Sequence, residues 1–299
     1  MTGLVSPKQV AQAIGVSESS LKRWCDQGVI ETVRTVGGHR RLAVSSVIAY
    51  LQKTGHTLVA PEILGLPPLT SGAGQRSLAK AQGALLEALT HGQHVAARQI
   101  VIEAFTAHHP MHAIADELIA PTFHEIGRQW DCGEVAVYEE RYACEIITRA
   151  LWDLRRINQE PMPGTPKAIG GTLESDHYSL PNQLAELVLR DAGWDAISLG
   201  SHLPVETLEL AIHQHQPRLV WLSVSHYQCE NKFVADVVRI RSATAAIQAP
   251  FVIGGRMLCE ELRHRIGEIA CCDSMRQLDA FSRALIQSHT AGPVKLPTG

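Results

Sequence analysis

The sequence lacks the features that mark membrane, secreted and dinucleotide-binding proteins. None of its apolar runs is long enough to span a bilayer, and its first residues lack the basic-then-apolar order of a signal peptide. Its seven cysteines include no C-x-x-C pair, which argues against a disulfide framework and against a zinc site. Neither G-x-G-x-x-G nor a phosphate-binding P-loop occurs in it. We therefore expect a cytoplasmic protein with no membrane partner and with reduced, mostly buried thiols.

The sequence also lacks a recognisable catalytic constellation. No Ser/His/Asp or Cys/His arrangement and no pair of carboxylates stands out in it, so we predict no catalytic residues and no enzyme. Charge is divided unevenly: residues 1–55 hold seven Lys or Arg and three acids, whereas the remainder holds 20 basic and 27 acidic residues. A basic head on an acidic body is typical of a DNA-binding module that is joined to another domain.

Changes in composition divide the chain into five segments. Residues 55–75 are rich in Gly, Pro, Ser and Thr, and residues 160–166 form a second break. Between the breaks, apolar residues recur with helical spacing; beyond them, apolar runs alternate with helical patterns, which predicts a parallel sheet covered on both faces. The predicted fold class is multidomain α and α/β. Its segments are a winged helix-turn-helix at 1–54, a linker at 55–75, a four-helix bundle cap at 76–159, a Rossmann-like (flavodoxin-like) domain at 160–289 and a disordered tail at 290–299.

The first segment carries the helix start and end signals of a helix-turn-helix. Ser6-Pro7 suits the start of one helix and Gly15 suits its end. Ser17 suits the cap of a second helix, which Gly28 closes. In this motif the second helix lies in the major groove of DNA. The side chains that we predict to face DNA from it are Ser17, Ser19, Ser20, Lys22 and Arg23.

A β-hairpin is predicted to follow these helices. Two short β-prone runs flank Gly37-Gly38, which is a common hairpin signal. Cations at the exit of such a wing bind phosphates or reach the minor groove. The predicted DNA contacts of the wing are Arg34, His39, Arg40 and Arg41.

The run AQAIGVSESSLKRWCDQGVIETVRTVGGHRRL resembles the N-terminal domain of MerR-type and excisionase-type regulators. The specific part of the resemblance is GGHRR after a helix that ends in W-x-x-x-G. It implies a winged helix-turn-helix whose partner is a double-stranded DNA operator. Because helix-turn-helix proteins commonly bind two half-sites, we expect a homo-oligomer, either a dimer or a tetramer.

The helical third segment contains a proline and a tryptophan in unusual places. Pro121 lies inside an apolar-periodic helix and is expected to kink it. Trp130 lies at the end of this helix, where a side chain that fills the core is the simplest interpretation.

The same segment resembles the four-helix cap of cobalamin-binding modules, as found in CarH- and LitR-type photoreceptor regulators and in methionine synthase-like corrinoid proteins. Those proteins carry P-x-x-x-x-I-G-x-x-W and then a Glu-His pair. The matching residues here are Pro121, Ile126, Gly127, Trp130 and Glu140. Arg141 stands where the family has His. The resemblance implies that Trp130, Glu140 and Arg141 face a corrin, with a changed adenosyl-sensing role.

The fourth segment resembles the cobalamin-binding sheet domain of the same family. In that family a D-x-H-x-x-G loop supplies a His as lower cobalt ligand, and the acid orients its imidazole. With Asp176 as the acid of this motif, Tyr178 stands at the His position and His177 comes one residue early. His177 is therefore the candidate metal ligand. Further cofactor contacts implied at the carboxyl edge of the sheet are Ser223, Ser225, Gly254 and Gly255, the two glycines letting the backbone approach the nucleotide tail.

The departures at Arg141 and Tyr178 favour loss of the usual adenosylcobalamin site and leave three alternatives for the ligand. The chain binds cobalamin, through His177 or without a protein ligand; or it binds haem or a bilin through Tyr178, Cys132 or a nearby His; or it binds nothing and keeps the fold for oligomerisation. With a tetrapyrrole bound, the resemblance implies a transcription regulator whose DNA affinity or oligomeric state responds to that ligand, in some members through light. The rival functions are a corrinoid carrier of a methyltransferase system and a ligand-free DNA-binding regulator. The predicted DNA-binding segment at 1–54 argues against the carrier.

Overall fold

A computed structural model describes residues 4–35, 37–56, 58–66, 77–158 and 161–290. The chain divides into two compact units, residues 1–160 and residues 161–299. Within the described ranges, no helix is both long enough and apolar enough to cross a membrane. The predicted linker beyond residue 66 and the predicted tail beyond residue 290 lie outside the described residues.

The first unit begins with a small winged domain, whose helices start and end at the predicted signals. Its elements are β1 (Leu4–Val5), α1 (Pro7–Ile14), α2 (Glu18–Asp26), β2 (Val33–Arg34), β3 (Arg40–Ala43) and α3 (Val44–Thr54). At the start of α1, Ser6 and Gln9 exchange hydrogen bonds between side chain and backbone, which is a capping box. Gly15 ends α1 with a φ of 77°, a conformation that glycine adopts without strain.

The three strands of this domain form an antiparallel sheet in the order β1-β3-β2. In the turn between β2 and β3, Gly38 N donates to Thr35 O at 2.8 Å and Thr35 N donates to His39 O at 2.9 Å. The hairpin predicted around Gly37-Gly38 is therefore present, with residue 36 outside the described residues.

Residues 58–66, which the composition assigns to a linker, pack on the winged domain. The backbone N–H groups of Val59 and Ala60 donate to Ala13 O at 2.7 and 3.1 Å. A 3-10 turn, Pro61–Leu64, follows them, and Leu58 and Leu66 are buried beside it. Buried leucines in a Pro- and Gly-rich segment explain the difference, because composition alone does not reveal which apolar side chains find a core.

Four helical stretches complete the first unit. They comprise α4 (Leu78–Thr90), α5 (His94–Thr106), α6 (Met111–Ala113) continuing through π-helical Ile114–Ile119 into α7 (Ala120–Asp131), and α8 (Val137–Ile157). The sequence predicts a kink at Pro121, and the structure has π-helical turns directly before it, where Ala120 N donates to Ala115 O. The wider turns accommodate a proline ring and its missing N–H, so the helix continues past Pro121.

The second unit is a five-stranded parallel sheet covered on both faces, which confirms the predicted fold class. Its elements are β4 (Lys167–Gly171), α9 (Ser179–Asp191), β5 (Asp195–Ser198), α10 (Val205–His215), β6 (Leu219–Ser223), α11 (Glu230–Ala246), β7 (Phe251–Gly254), α12 (Glu260–Ile266), β8 (Ala270–Cys272) and α13 (Met275–Thr290). The strand order is β5-β4-β6-β7-β8, and every pair is parallel.

The two faces of this sheet are packed differently. Apolar side chains of α10, α11 and α12 form one core with β4, β6 and β7. On the other face, α9 packs on β4 and β6 and contacts α13. There the buried indole of Trp221 donates to Asn182 Oδ1 at 2.8 Å, and Asn182 Nδ2 lies 2.6 Å from Ser198 Oγ. This chain of polar groups inside an apolar layer links α9 to two strands, β5 and β6.

The expectation of mostly buried thiols is wrong. Cys25 is buried, whereas Cys132, Cys229 and Cys259 are exposed and the remaining three cysteines are half-buried. Two of the exposed cysteines, Cys229 and Cys259, are the residues directly before helices α11 and α12. Their exposure shows that a cysteine at the end of a helix is not necessarily buried.

Candidate functional site

Helix α2 of the head begins with a cluster of hydroxyl groups. Ser17 Oγ accepts a hydrogen bond from Ser20 N at 3.1 Å and therefore caps the helix. The same oxygen lies 2.9 Å from Ser19 Oγ and 2.8 Å from Ser20 Oγ. The three serines predicted to face DNA thus form one local network at the positive end of the helix.

The two cations of α2 differ in their electrostatic surroundings. Lys22 is exposed and pairs with Glu18 at 3.0 Å, one helical turn earlier. Arg23 is exposed, and no carboxylate within the described ranges lies within 4 Å of it. An unpaired surface guanidinium keeps its full charge for a phosphate, so Arg23 is the stronger anion-binding group of the two.

Arg40, which the sequence assigns to DNA contact, is held inside the head. It is half-buried, and its Nη1 lies 2.7 Å from Asp26 Oδ1 at the end of α2. The thiol of Cys25 lies beside this pair, and burial raises the pKa of that thiol. The pair joins the wing to the second helix, so the structure gives Arg40 a positioning role.

The other basic residues of the wing are not held in this way. Arg34 and His39 are exposed, and Arg41 is half-buried. In the β2–β3 register Arg34 lies opposite Arg40, and Arg41 lies opposite Val33. Because successive residues of a strand point to opposite faces, Arg40 and Arg41 lie on opposite faces of the hairpin. Arg34, directly opposite Arg40, shares the face of Arg40.

In the helical cap, Trp130 lies at the surface of the first unit. Its side chain is 50% exposed, so the interpretation as a core-filling residue is wrong. Val137 and Tyr138, at the start of α8, are 55% and 71% exposed. Large apolar side chains left in solvent at the end of one helix and the start of the next are typical of a contact surface.

Glu140 and Arg141, at the predicted corrin-facing positions, contact each other. Arg141 Nε lies 3.6 Å from Glu140 Oε2, and the Cys144 thiol donates to Glu140 Oε1 at 3.4 Å. Burial, followed by the charge of Glu140, raises the pKa of Cys144 to about 12. Cys144 is therefore a protonated hydrogen-bond donor that orients Glu140.

In the second unit, the carboxyl ends of β4 and β6 meet at the topological switch point of the sheet. The chain leaves β4 towards β5 on one side and later returns to β6 on the other. Asp176, in the loop after β4, is 2% exposed, and its Oδ1 accepts from Tyr178 N at 3.0 Å. Its Oδ2 accepts from the N–H groups of Ser225 at 2.6 Å and His226 at 3.2 Å, in the loop after β6. Asp176 therefore fastens the two loops together across the switch point.

His177 stacks on a second histidine at the same edge. Its ring centre lies 4.3 Å from that of His202, with 17° between the ring planes, and both side chains are exposed. Ser175 N donates to His202 Nδ1 at 2.9 Å, which leaves the proton of the neutral His202 ring on Nε2. His202 follows strand β5, so two separate loops bring these imidazoles together.

Tyr178 lies under an arginine that comes from a third loop. The guanidinium carbon of Arg256, after β7, is 4.6 Å from the centre of the Tyr178 ring. Arg256 Nε donates to Ser225 O at 3.1 Å. The loops after β4, β6 and β7 thus converge at Ser225, whose N–H bonds Asp176 and whose carbonyl bonds Arg256.

The serine and glycine positions predicted at this edge are packed by the sheet itself. Ser223 and Ser225 are 7% and 4% exposed. A Cβ on Gly254 would lie 2.9 Å from Cys272 O, and a Cβ on Gly255 would overlap the backbone of Val224. Gly255 also has a φ of 133°, outside the range of other residues. The two glycines let neighbouring strand ends approach each other.

The contacts of Asp176 and His177 do not fit the arrangement in which Asp176 orients a histidine that binds cobalt. Both oxygens of Asp176 accept from backbone N–H groups, and His177 stacks on His202 at the surface. A metal-bound His needs a partner that fixes its ring, and His177 has no such bond to Asp176.

Two residues of this edge are absent from the sequence-based prediction, His202 and Arg256. The sequence does carry a signal for each. Arg256 directly follows Gly254-Gly255, and His202 lies just beyond strand β5, at the edge where open parallel sheets bind their ligands.

Comparisons with known families match two parts of the chain. Residues 4–55 match a helix-turn-helix domain, and residues 81–152 match a B12 binding domain. The second match covers the helical cap. The order of the two domains confirms the predicted resemblance to CarH-type regulators with a cobalamin-binding module.

Two known proteins are similar over most of the chain. The HTH-type transcriptional repressor CarH of Myxococcus xanthus is 23% identical over 275 residues, which are 84% of this chain and 91% of that protein. The structure of the Methanosarcina barkeri monomethylamine corrinoid protein superposes with a TM-score of 0.59 at 14% identity, covering 70% of this chain and 100% of that one. At that identity the second likeness shows the fold alone. Neither comparison supports haem or a bilin as ligand.

Proposed function

We propose that this chain is a DNA-binding transcription regulator whose DNA affinity or oligomeric state is controlled by cobalamin. The observation that carries the proposal is the presence, in one chain, of a winged helix-turn-helix with unpaired surface cations and a helical B12 binding domain. The similarity to a transcriptional repressor over 84% of the chain supports it. We further propose that it is not an enzyme and that the DNA-bound form is a homo-oligomer, because helix-turn-helix proteins commonly bind paired half-sites.

The proposal assigns a role to each segment. Residues 1–54 bind the operator, residues 76–159 and residues 160–289 are each a module of the cobalamin-binding type, and 55–75 and 290–299 are linker and tail. On DNA, α2 enters the major groove, and Arg23, Arg34 and Arg41 neutralise phosphates. Arg40 fixes the wing against α2 through Asp26. Ligand binding favours one conformation of the chain, and the DNA affinity changes by the difference between conformations.

For the ligand, we propose cobalamin binding in which no imidazole of the protein coordinates cobalt. The occupied carboxylate of Asp176 and the stacked ring of His177 support this. Trp130, Glu140 and Arg141 offer apolar and polar contacts from the cap. Tyr178, Ser223, Ser225, Gly254 and Gly255 lie at the carboxyl edge of the sheet, where open α/β domains bind ligands.

The test is the ultraviolet–visible spectrum of the purified full-length protein after dark incubation with adenosylcobalamin, haem or biliverdin and then desalting. We expect retained cobalamin, equal retention by His177→Ala, and equal retention by His202→Ala as the matched control. Loss of cobalamin from His177→Ala alone would show that His177 binds cobalt. Retained haem or biliverdin would show that the chain uses another chromophore, and retention of none would leave a ligand-free regulator.

The rival function is a corrinoid carrier in methyl transfer, which the fold of the second unit also suits. The helix-turn-helix domain argues against it, because a carrier has no use for a DNA-binding head. A carrier would show cobalamin retention with DNA binding that is weak and independent of sequence.

A further inference from the structure

Arg256 is a fixed cation at the switch point of the sheet. Two contacts from different loops hold it: its Nε donates to Ser225 O at 3.1 Å, and its guanidinium carbon lies 4.6 Å from the centre of the Tyr178 ring. The residue is nevertheless exposed at the edge where parallel sheets bind ligands. Among the described residues, its outer nitrogens have no hydrogen-bond partner.

Among the described residues, no carboxylate pairs with Arg256 and neutralises its charge. The two acids of the facing loop have other partners. Glu174 pairs with Lys232 at 2.7 Å, and Asp176 accepts from backbone N–H groups. Several other arginines of the sheet domain do pair with carboxylates: Arg239, Arg263, Arg265 and Arg283.

A guanidinium that is held in place and keeps its outer N–H groups free is suited to bind an oxyanion through two parallel hydrogen bonds. Its orientation is fixed before the ligand arrives, which lowers the entropic cost of binding. Gly255 allows Arg256 to reach Ser225. Because Gly255 has no side chain, the chain can pass close to the backbone of Val224, where a Cβ would overlap.

We propose that Arg256 is the oxyanion-binding residue of the ligand site and that it holds the phosphodiester group of cobalamin, with Tyr178 and Ser225 as its positioning residues. This inference rests on the proposed function. The corrin carries neutral amide side chains, so the phosphodiester is the anionic group that the ligand offers to a fixed guanidinium. Arg256 is not one of the positions that carry the resemblance to cobalamin-binding sheet domains, so it adds a residue to the site that this resemblance implies.

The test compares two ligands and four forms of the full-length protein. Cyanocobalamin contains the phosphodiester, and cyanocobinamide lacks the whole nucleotide. Dissociation constants are measured by equilibrium dialysis for the wild type, Arg256→Met, Arg256→Lys and the control Arg218→Met, an exposed arginine before β6 at the opposite end of the sheet. We expect Arg256→Met to weaken cyanocobalamin binding about tenfold or more, as loss of a charged hydrogen bond does.

Cyanocobinamide binding should change less than about twofold in Arg256→Met, and Arg218→Met should leave both ligands unaffected. Arg256→Lys keeps the charge and should recover part of the loss for cyanocobalamin, which separates a lost charge from a damaged fold. Equal weakening of both ligands by Arg256→Met, or weakening of neither, overturns the inference while the proposed function stands. Binding of neither ligand by the wild type overturns the proposed function, and the inference with it.

Discussion

The DNA-binding head and the carboxyl edge of the sheet use charged residues in opposite ways. In the head, Arg23, Arg34 and His39 stand in solvent on separate elements, and their effects on DNA binding are expected to add. At the sheet edge, Asp176 is buried, and its carboxylate holds two loops together. The exposed cations of the head are therefore placed to act on a partner, apart from Arg40, which Asp26 holds. At the edge, the buried carboxylate of Asp176 acts on the fold. Substitutions of charged residues in the head should therefore change mainly the DNA affinity, whereas substitution of Asp176 should change mainly the stability of the sheet domain.

The largest expected effect tests the exposed cations of the head. Arg23→Glu should weaken binding of a duplex that the wild type selects from a randomised library by about 10- to 100-fold, because a phosphate contact becomes a repulsion. Lys80→Glu, the same charge change at an exposed position of α4, is the control and should change the affinity little. Fluorescence anisotropy titrations measure both. Equal losses in the two variants would mean that net charge matters rather than the face of α2.

Asp176→Ala tests the structural use of charge at the sheet edge. Leaving backbone N–H groups without their buried acceptor should lower the free energy of unfolding of the sheet domain by about 2–3 kcal/mol. In the same loop, Glu174→Ala removes an exposed ion pair with Lys232 and should cost less than about 1 kcal/mol. Urea unfolding measures the cost, and amide exchange of Ser225 and His226 reports it locally. Similar costs for both variants would remove the contrast between head and edge.

Adjacent arginines of the wing sharpen the comparison within the head. Arg41→Ala should reduce the salt dependence of DNA binding by about 0.9 in the logarithmic slope, the amount expected for one lost phosphate contact. Arg40→Ala should leave that slope nearly unchanged, because Asp26 already neutralises Arg40. Arg40→Ala should still weaken DNA binding, because the wing is then no longer held against α2. Titrations between low and moderate salt distinguish the two variants, and the same slope change for both would place Arg40 on DNA.

The smallest effect concerns the thiols and extends the comparison to the cap. Burial raises the pKa of Cys144 to about 12, so at pH 8 it remains a thiol and should not react with iodoacetamide in the native protein. Since the thiolate form is disfavoured, Cys144 should react more slowly than the exposed thiols as the pH is raised above 8. The exposed Cys132, Cys229 and Cys259 should be modified first. Mass spectrometry of the digested protein checks the order, and early modification of Cys144 would show that the bundle opens.

Local signals allowed the helices of the head to be predicted from the sequence. The caps at Ser6 and Ser17 and the turn at Gly15 act within one helical turn, so the residues themselves specify them. The parallel sheet was predictable because its buried strands are continuous apolar runs. Residues 58–66 were not, since their burial depends on a contact with Ala13 that composition does not encode.

The candidate sites show the same division. Basic residues of the wing could be located from their clustering, but the pairing of Arg40 with Asp26 depends on how the wing folds back on α2. Likewise, the bond between Asp176 and Ser225 and the stacking of Arg256 on Tyr178 join loops that are distant in sequence. Such contacts follow from the strand order, which places β4 beside β6, and the sequence pattern alone does not specify that order.

The measurement that tests the central claim most directly is the affinity of the full-length protein for its selected duplex, with and without saturating adenosylcobalamin in the dark. The account predicts retained cobalamin and a change in the dissociation constant of at least about fivefold, the lower end of typical coupling between two sites. A protein that retains cobalamin and binds the duplex with the same affinity in both states would contradict control of DNA binding by this ligand.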